Sequence, residues 1–145
     1  MKALIQRVRS ARVDVAGETV GKIDGGILVL LGLDKGDDKA TVERMLDKVL
    51  AYRLFADAQG RMNCSVTDIN GGVLLVSQFT LSAGTRKGLR PGFSSAMPPV
   101  EAEQLYDFTL QRLRQRHARV AAGAFGADMQ VSLCNDGPVT FMLEL

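Results

Sequence analysis

Apolar Ala11, Val13 and Val15 alternate with polar Arg12 and Asp14, and this period of two predicts a strand over residues 3–15. Ala16-Gly17 reads as a turn and residues 18–23 as a second strand, giving an N-terminal hairpin. After Asp24-Gly25-Gly26, residues 27–33 are continuously apolar, the pattern of a strand buried on both faces. Val42, Met45, Leu46, Val49 and Leu50 then fall at helical spacing, with Asp37 or Asp38 placed to cap the helix and its end near Tyr52 or Arg53. Leu54-Phe55-Ala56 predicts a short strand, and residues 73–81 a second strongly apolar one. Pro98-Pro99 opens another helix, whose buried stripe is Ala102, Leu105, Tyr106, Leu110 and Leu113. Its C-terminal half carries Arg112, Arg114, Arg116, His117 and Arg119, which read as a solvated face with an exposed histidine.

Near the C-terminus two alternating runs flank Asn135-Asp136-Gly137-Pro138-Val139-Thr140: Met129, Val131 and Leu133 before it, Val139, Phe141, Leu143 and Leu145 after it. This predicts strand, turn, strand, with Asp136-Gly137 suited to positive φ. Pro138 has no N–H to donate to a ladder, so the Gly-Pro pair forms a rigid corner that presents bare carbonyls. The element order ββ-(βα)2-βββ predicts an α/β protein in one domain, residues 1–145. The expected architecture is a mixed β-sheet or barrel-like core with helices packed on one side, in three layers α/β/β.

Composition alters this picture little. The 145 residues are 46% hydrophobic and 23% charged, enough for a sizeable core without a staple. A net charge of +2 does not by itself mark a nucleic-acid protein, but Arg86, Lys87 and Arg90 share a glycine-rich loop over 82–93. Cys64 and Cys134 read as buried free thiols, and with the single His117 they do not complete a four-ligand zinc site, so no metal or cofactor is expected. No apolar run is long enough to span a bilayer as a helix, and the N-terminus does not read as a secretory signal, so a cytoplasmic protein with no membrane partner is expected.

The sequence contains no Gly-x-Ser-x-Gly elbow and no phosphate-binding Walker loop. The remaining candidate for chemistry is Ser77-Gln78-Phe79-Thr80, at the end of an apolar strand and before the glycine-rich loop, where open α/β sheets place ligands. Together, Ser77-Gln78-Phe79-Thr80-Leu81 and the 135–140 hexapeptide closely resemble the D-aminoacyl-tRNA deacylases. The resemblance runs in order through Gln6-Arg7-Val8, Gly25-Gly26-Ile27, Lys87-Gly88-Leu89-Arg90-Pro91 and Phe125-Gly126-Ala127-Asp128-Met129-Gln130-Val131. Gly92 departs from it, standing where the family has Ser after Arg-Pro.

The resemblance implies hydrolysis of the ester between a D-amino acid and the tRNA 3′ end, and of glycine mischarged on the tRNA for alanine. It implies a homodimer in which the Gly137-Pro138 corner, its peptide cis, enters the other subunit's site beside Ser77, Gln78, Phe79 and Thr80. Backbone carbonyls in that position read the direction in which a side chain leaves Cα and reject L substrates by clash and unpaired polar groups, while glycine passes. Phe125 and Met129 are expected to shape the pocket near the corner. Arg7 is expected to support the partner's loop, and Arg86, Lys87 and Arg90 to contact acceptor-end phosphates. Backbone N–H groups near Phe79 and Thr80 are candidates for an oxyanion hole, a role worth ~3 kcal/mol per donor. Thr80 as nucleophile lacks a base within the motif, which favours assistance by the ribose 2′-OH. A non-catalytic nucleic-acid-binding module is the main alternative, and another esterase on the same scaffold is a second.

Overall fold

The computed structural model describes residues 1–145. The strands are β1 (Lys2–Val15), β2 (Glu18–Ile23), β3 (Gly26–Gly32), β4 (Phe55–Ala56), β5 (Met62–Cys64), β6 (Gly72–Ser77), β7 (Val120–Ala122) and β8 (Gln130–Glu144). The helices are α1 (Lys39–Ala51) and α2 (Pro99–Arg116), and a 3₁₀ turn spans Phe79–Ser82. The main sheet runs β2-β1-β3-β6-β7, with β8 on the other edge of β1. The pairs β3–β6 and β6–β7 are parallel and the three pairings of β1 are antiparallel. The result is the expected mixed α/β fold, a nearly closed, barrel-like sheet with two helices. The barrel comes close to closing where β2 meets β7: a Cβ at Gly21 would lie 2.3 Å from the carbonyl oxygen of Ala122, so only glycine permits this approach.

Two cores follow from side-chain alternation. On β3, Ile27, Val29 and Leu31 face the helices, while Leu28 and Leu30 face the barrel interior, which explains the unbroken apolar run. On β1, Ala3 and Ile5 join the helix-side core, whereas Val8, Ala11 and Val13 join the interior. The switch coincides with register shifts against β8 between Gln6 and Val8 and between Val8 and Ser10, as bulges re-aim the side chains that follow them. The first hairpin forms as expected, with Ala16 and Gly17 at φ of 49° and 81°.

On α1, Asp38 accepts from the Thr41 N–H at 2.8 Å, and Val42, Met45, Leu46, Val49 and Leu50 are buried. On α2, Thr109 rather than Leu110 completes the fully buried stripe; its hydroxyl donates to Leu105 O at 2.7 Å, which removes the cost of burying it. The arginine-rich face is only partly solvated. Arg112 Nε lies 2.5 Å from Glu43 Oε1, and Arg116 reaches both Glu43 and Asp47, so two of its cations are tied to α1.

Four further expectations change. The strand expected over 73–81 ends at Ser77, and the chain then turns into the 3₁₀ segment. The C-terminal hairpin is absent: β8 is one strand along β1, and the 135–140 segment is an irregularity within it, so two strands rather than three follow α2. β1 is long enough to pair both apolar runs on the same edge, which leaves no reason for the chain to reverse. His117 is buried, at 7% exposure, with Nε2 donating to Gly71 O at 2.7 Å. Cys134 is exposed and Cys64 half-buried; both are free. No helix is long and apolar enough to cross a membrane.

Candidate functional site

The parallel strands β3 and β6 end side by side, with Leu31 in register with Ser77. Gln78 N–H donates to Leu31 O at 2.8 Å, and the 3₁₀ turn then carries Phe79 and Thr80 out of the sheet. A Cβ at Gly32 would lie 2.9 Å from Leu81 Cβ, so glycine there lets the turn pack against β3. Above these strand ends lies a cavity of about 400 Å³. Leu31, Leu33, Ser77, Gln78 and Phe79 line one side, Met97, Pro99 and Ala102 a second, and Phe125, Gly126 and Ala127 a third. None of these side chains is ionisable. The opening sits at the carboxyl ends of parallel strands, where the sheet leaves a crevice.

The wall opposite the sheet is braced from two directions. Met97 N–H donates to Leu33 O at 3.0 Å, and Lys35 N–H to Ser95 O at 2.9 Å. The Met1 ammonium holds the same turn, 3.0 Å from Asp34 and 2.9 Å from Asp37. Tyr106 donates its hydroxyl to Leu75 O at 3.0 Å, and its ring centroid lies 5.6 Å from that of Phe125. Burial pushes the Tyr106 hydroxyl up to about 12, so it remains a proton donor. Met97, Leu33 and Tyr106 carry no motif, and only the double proline ahead of α2 hinted that the chain changes course at this point.

Of the residues singled out from sequence, Ser77, Gln78, Phe79 and Phe125 meet at the cavity. Thr80 is adjacent but does not line it; its hydroxyl accepts from Gln78 Nε2 in a close contact. The single histidine is bonded to Gly71, at the opposite end of β6 and about 20 Å of strand away. Met129 lies elsewhere than expected. It packs against the barrel interior, its sulfur 2.7 Å from where a Cβ on Gly123 would sit.

The corner at Gly137-Pro138 is exposed, its peptide is cis, and it does not line the cavity of its own chain. It is held from both sides. Arg7 Nε donates to Asp136 O at 3.0 Å, while the other arm of the same guanidinium donates to Leu54 O at 2.8 Å. Asn135 accepts from Val139 N–H at 3.0 Å and donates to Thr140 Oγ1 at 2.9 Å. Arg7 therefore braces the corner of its own chain, where a partner's corner was expected.

The cationic loop is pinched at its base. Gly84 N–H donates to Gly92 O at 2.7 Å and Gly92 N–H to Gly84 O at 3.1 Å, which isolates residues 85–91 as a projecting tip. Arg86, Lys87 and Arg90 are exposed there. A Cβ at Gly92 would meet nothing within 4 Å, so the departure from the family's Ser leaves the backbone geometry intact.

A family model described as D-Tyr-tRNA(Tyr) deacylase matches residues 4–144. The chain is 62% identical over 145 residues to a D-aminoacyl-tRNA deacylase of Cellvibrio japonicus (strain Ueda107), covering 100% of this chain and 99% of the relative. It is 63% identical over 144 residues to one of Stutzerimonas stutzeri (strain A1501), covering 99% of each. Among solved structures it matches one described as c-Myc DNA Unwinding Element Binding Protein, with a TM-score of 0.96 at 44% identity over 100% of this chain and 99% of that one. It also matches a probable eukaryotic D-amino acid tRNA deacylase with a TM-score of 0.86 over 99% and 98% of the two chains; at 16% identity this is a likeness of fold.

Proposed function

The chain belongs to the D-aminoacyl-tRNA deacylase family, hydrolases of the aminoacyl-tRNA ester bond, and on that premise we propose how its residues divide the reaction. Water adds to the ester carbonyl, the oxyanion collapses, and free tRNA and D-amino acid leave. The observation that carries the assignment of roles is the cavity at Ser77, Gln78 and Phe79, whose lining holds no ionisable side chain. A site of this kind has no side-chain base of its own to offer. The 2′-OH of the terminal ribose orients or activates the water, and the Phe79 and Thr80 N–H groups, which open the 3₁₀ turn and so lack partners within it, receive the oxyanion.

Chiral selection falls to backbone. The Gly137 and Pro138 carbonyls of a second copy accept from the substrate amino group and occupy the volume an L side chain needs, in a homodimer that exchanges corners. This is consistent with a corner that is rigidly braced, exposed, and away from its own cavity. Glycine, with no side chain to reject, is also hydrolysed from the tRNA for alanine. Arg86, Lys87 and Arg90 meet acceptor-end phosphates, and the enzyme acts in the cytoplasm, where aminoacyl-tRNA is made.

The likeness to a protein described by its binding to a DNA element favours a second reading, a nucleic-acid-binding module using the same loop. Parallel incubation with D-Tyr-tRNA and L-Tyr-tRNA separates the two. Loss of only the D ester supports the proposal, loss of neither supports the binding module, and loss of both refutes the corner as a filter.

A further inference from the structure

Phe79 and Phe93 are the only aromatic side chains of this protein that are exposed, 61% and 42% respectively, and they touch each other. Their ring centroids lie 5.1 Å apart with the planes tilted by 53°. Large apolar rings are normally buried, so two that stand together in solvent mark a surface that something covers. The position of the pair indicates what does. Phe79 lines the cavity, and Phe93 directly follows Gly92, which closes the base of the cationic loop. The rings therefore bridge the cavity mouth and the loop that carries Arg86, Lys87 and Arg90. No Asp or Glu occurs between Asp68 and Glu101, so this whole stretch is cationic or neutral.

Aromatic faces beside unpaired cations are the combination that holds single-stranded nucleic acid: the cations track the backbone and the rings stack on bases without reading them. We propose that Phe79 and Phe93 form a stacking platform for an unpaired base of the tRNA acceptor end, that of the nucleotide preceding the esterified one. This rests on the deacylase reading and extends it past the ester. A cavity of about 400 Å³ holds one ligand of aminoacyl-nucleoside size, so the preceding base lies outside, where the platform is. Phe93 is then a substrate-binding residue that never touches the reacting atoms.

The test compares D-tyrosyl-tRNA with 3′-O-D-tyrosyl-adenosine, which has no preceding nucleotide, using the wild type, Phe93→Leu and Phe93→Trp. Leucine keeps apolar bulk without a ring; tryptophan restores a ring. Phe93→Leu is expected to raise KM for the tRNA about tenfold, with an effect on the nucleoside ester several-fold smaller, and Phe93→Trp to recover most of the loss. A tetranucleotide acceptor end carrying 2-aminopurine at the penultimate position should be quenched by the wild type and by Phe93→Trp, and not by Phe93→Leu. Equal effects of Phe93→Leu on both substrates would overturn the platform, since the ring would then only shape the cavity. So would a change from dimer to monomer in sedimentation, which would make the pair a contact between two copies. A wild type inactive on both D esters would instead remove the deacylase reading, and the platform with it.

Discussion

Arg7 Nε lies 3.0 Å from the carbonyl oxygen of Asp136, a bond that ties β1 to the corner one residue before Gly137. The same guanidinium holds Leu54 O at 2.8 Å, so one planar fork fixes the corner against the β4 side of the molecule. Lysine offers a point charge and cannot span both acceptors. Arg7→Lys is expected to keep the fold by circular dichroism while losing at least tenfold in D-ester hydrolysis. Arg7→Ala should also lower stability by about 2–3 kcal/mol in urea denaturation, because a half-buried charged donor is lost from two carbonyls.

Gly137 has φ of 132°, and a Cβ there would lie 2.7 Å from Val139 Cγ2 and 3.0 Å from an Arg7 terminal nitrogen. Alanine must therefore displace the corner or the arginine that holds it. Because the corner is exposed, the fold should survive. Gly137→Ala is expected to reduce discrimination between D- and L-tyrosyl-tRNA at least tenfold, measured as the ratio of kcat/KM values; unchanged discrimination would remove the corner from chiral selection.

The Thr80 hydroxyl is bonded to Gln78 and has no base beside it in the cavity lining. Thr80→Ala is expected to lower kcat by less than tenfold, whereas a substrate ending in 2′-deoxyadenosine should react at least a hundredfold more slowly. Loss of hydrolysis in Thr80→Ala with binding intact would overturn the account in which only backbone groups and the ribose act. Normal cleavage of the deoxy substrate would exclude the ribose.

Arg86, Lys87 and Arg90 stand on a tip pinched by Gly84 and Gly92. Each phosphate contact with a single strand contributes about 0.7 to the slope of log affinity against log salt concentration. Replacing all three by alanine should flatten that slope by about two in tRNA-binding titrations. Wild-type affinity indifferent to salt would rule these residues out as phosphate contacts.

The Tyr106 hydroxyl is pushed up to about 12 by burial, against about 10 in an unfolded chain. The folded state thus holds this proton more tightly. The stability it confers is fully present below pH 10 and is lost as the pH rises toward 12, by about 2–3 kcal/mol in all. Denaturation midpoints between pH 9 and 12 should show that decline, and Tyr106→Phe should flatten it. At pH 8 the same substitution should cost about 1 kcal/mol for the bond to Leu75 O.

Local chemistry alone determined much of this protein. Period-two alternation set β1 and β2, the doubly apolar run set β3, and Asp38 with five residues at helical spacing set α1. These depend on neighbours in sequence, so the sequence displays them. The two short motifs and their spacing likewise carried the family, because backbone corners and strand ends are written in Gly, Pro and hydroxyl residues.

Other features were decided in three dimensions. Residues 129–145 have the alternation of a hairpin, yet β1 offers an edge long enough for both halves, and pairing with that edge makes a single strand with an irregular corner. Leu81 continues the apolar pattern of β6, but the space left at Gly32 takes it into a turn. His117 sits among arginines in the sequence and is buried in the fold, because α2 ends beside Gly71. Met97 and Tyr106 support the cavity, and Met129 leaves it for the barrel interior, only through packing between distant segments. A one-dimensional pattern states which residues seek burial or a turn; which partner satisfies each depends on the edges, gaps and carbonyls that other parts of the chain bring within reach.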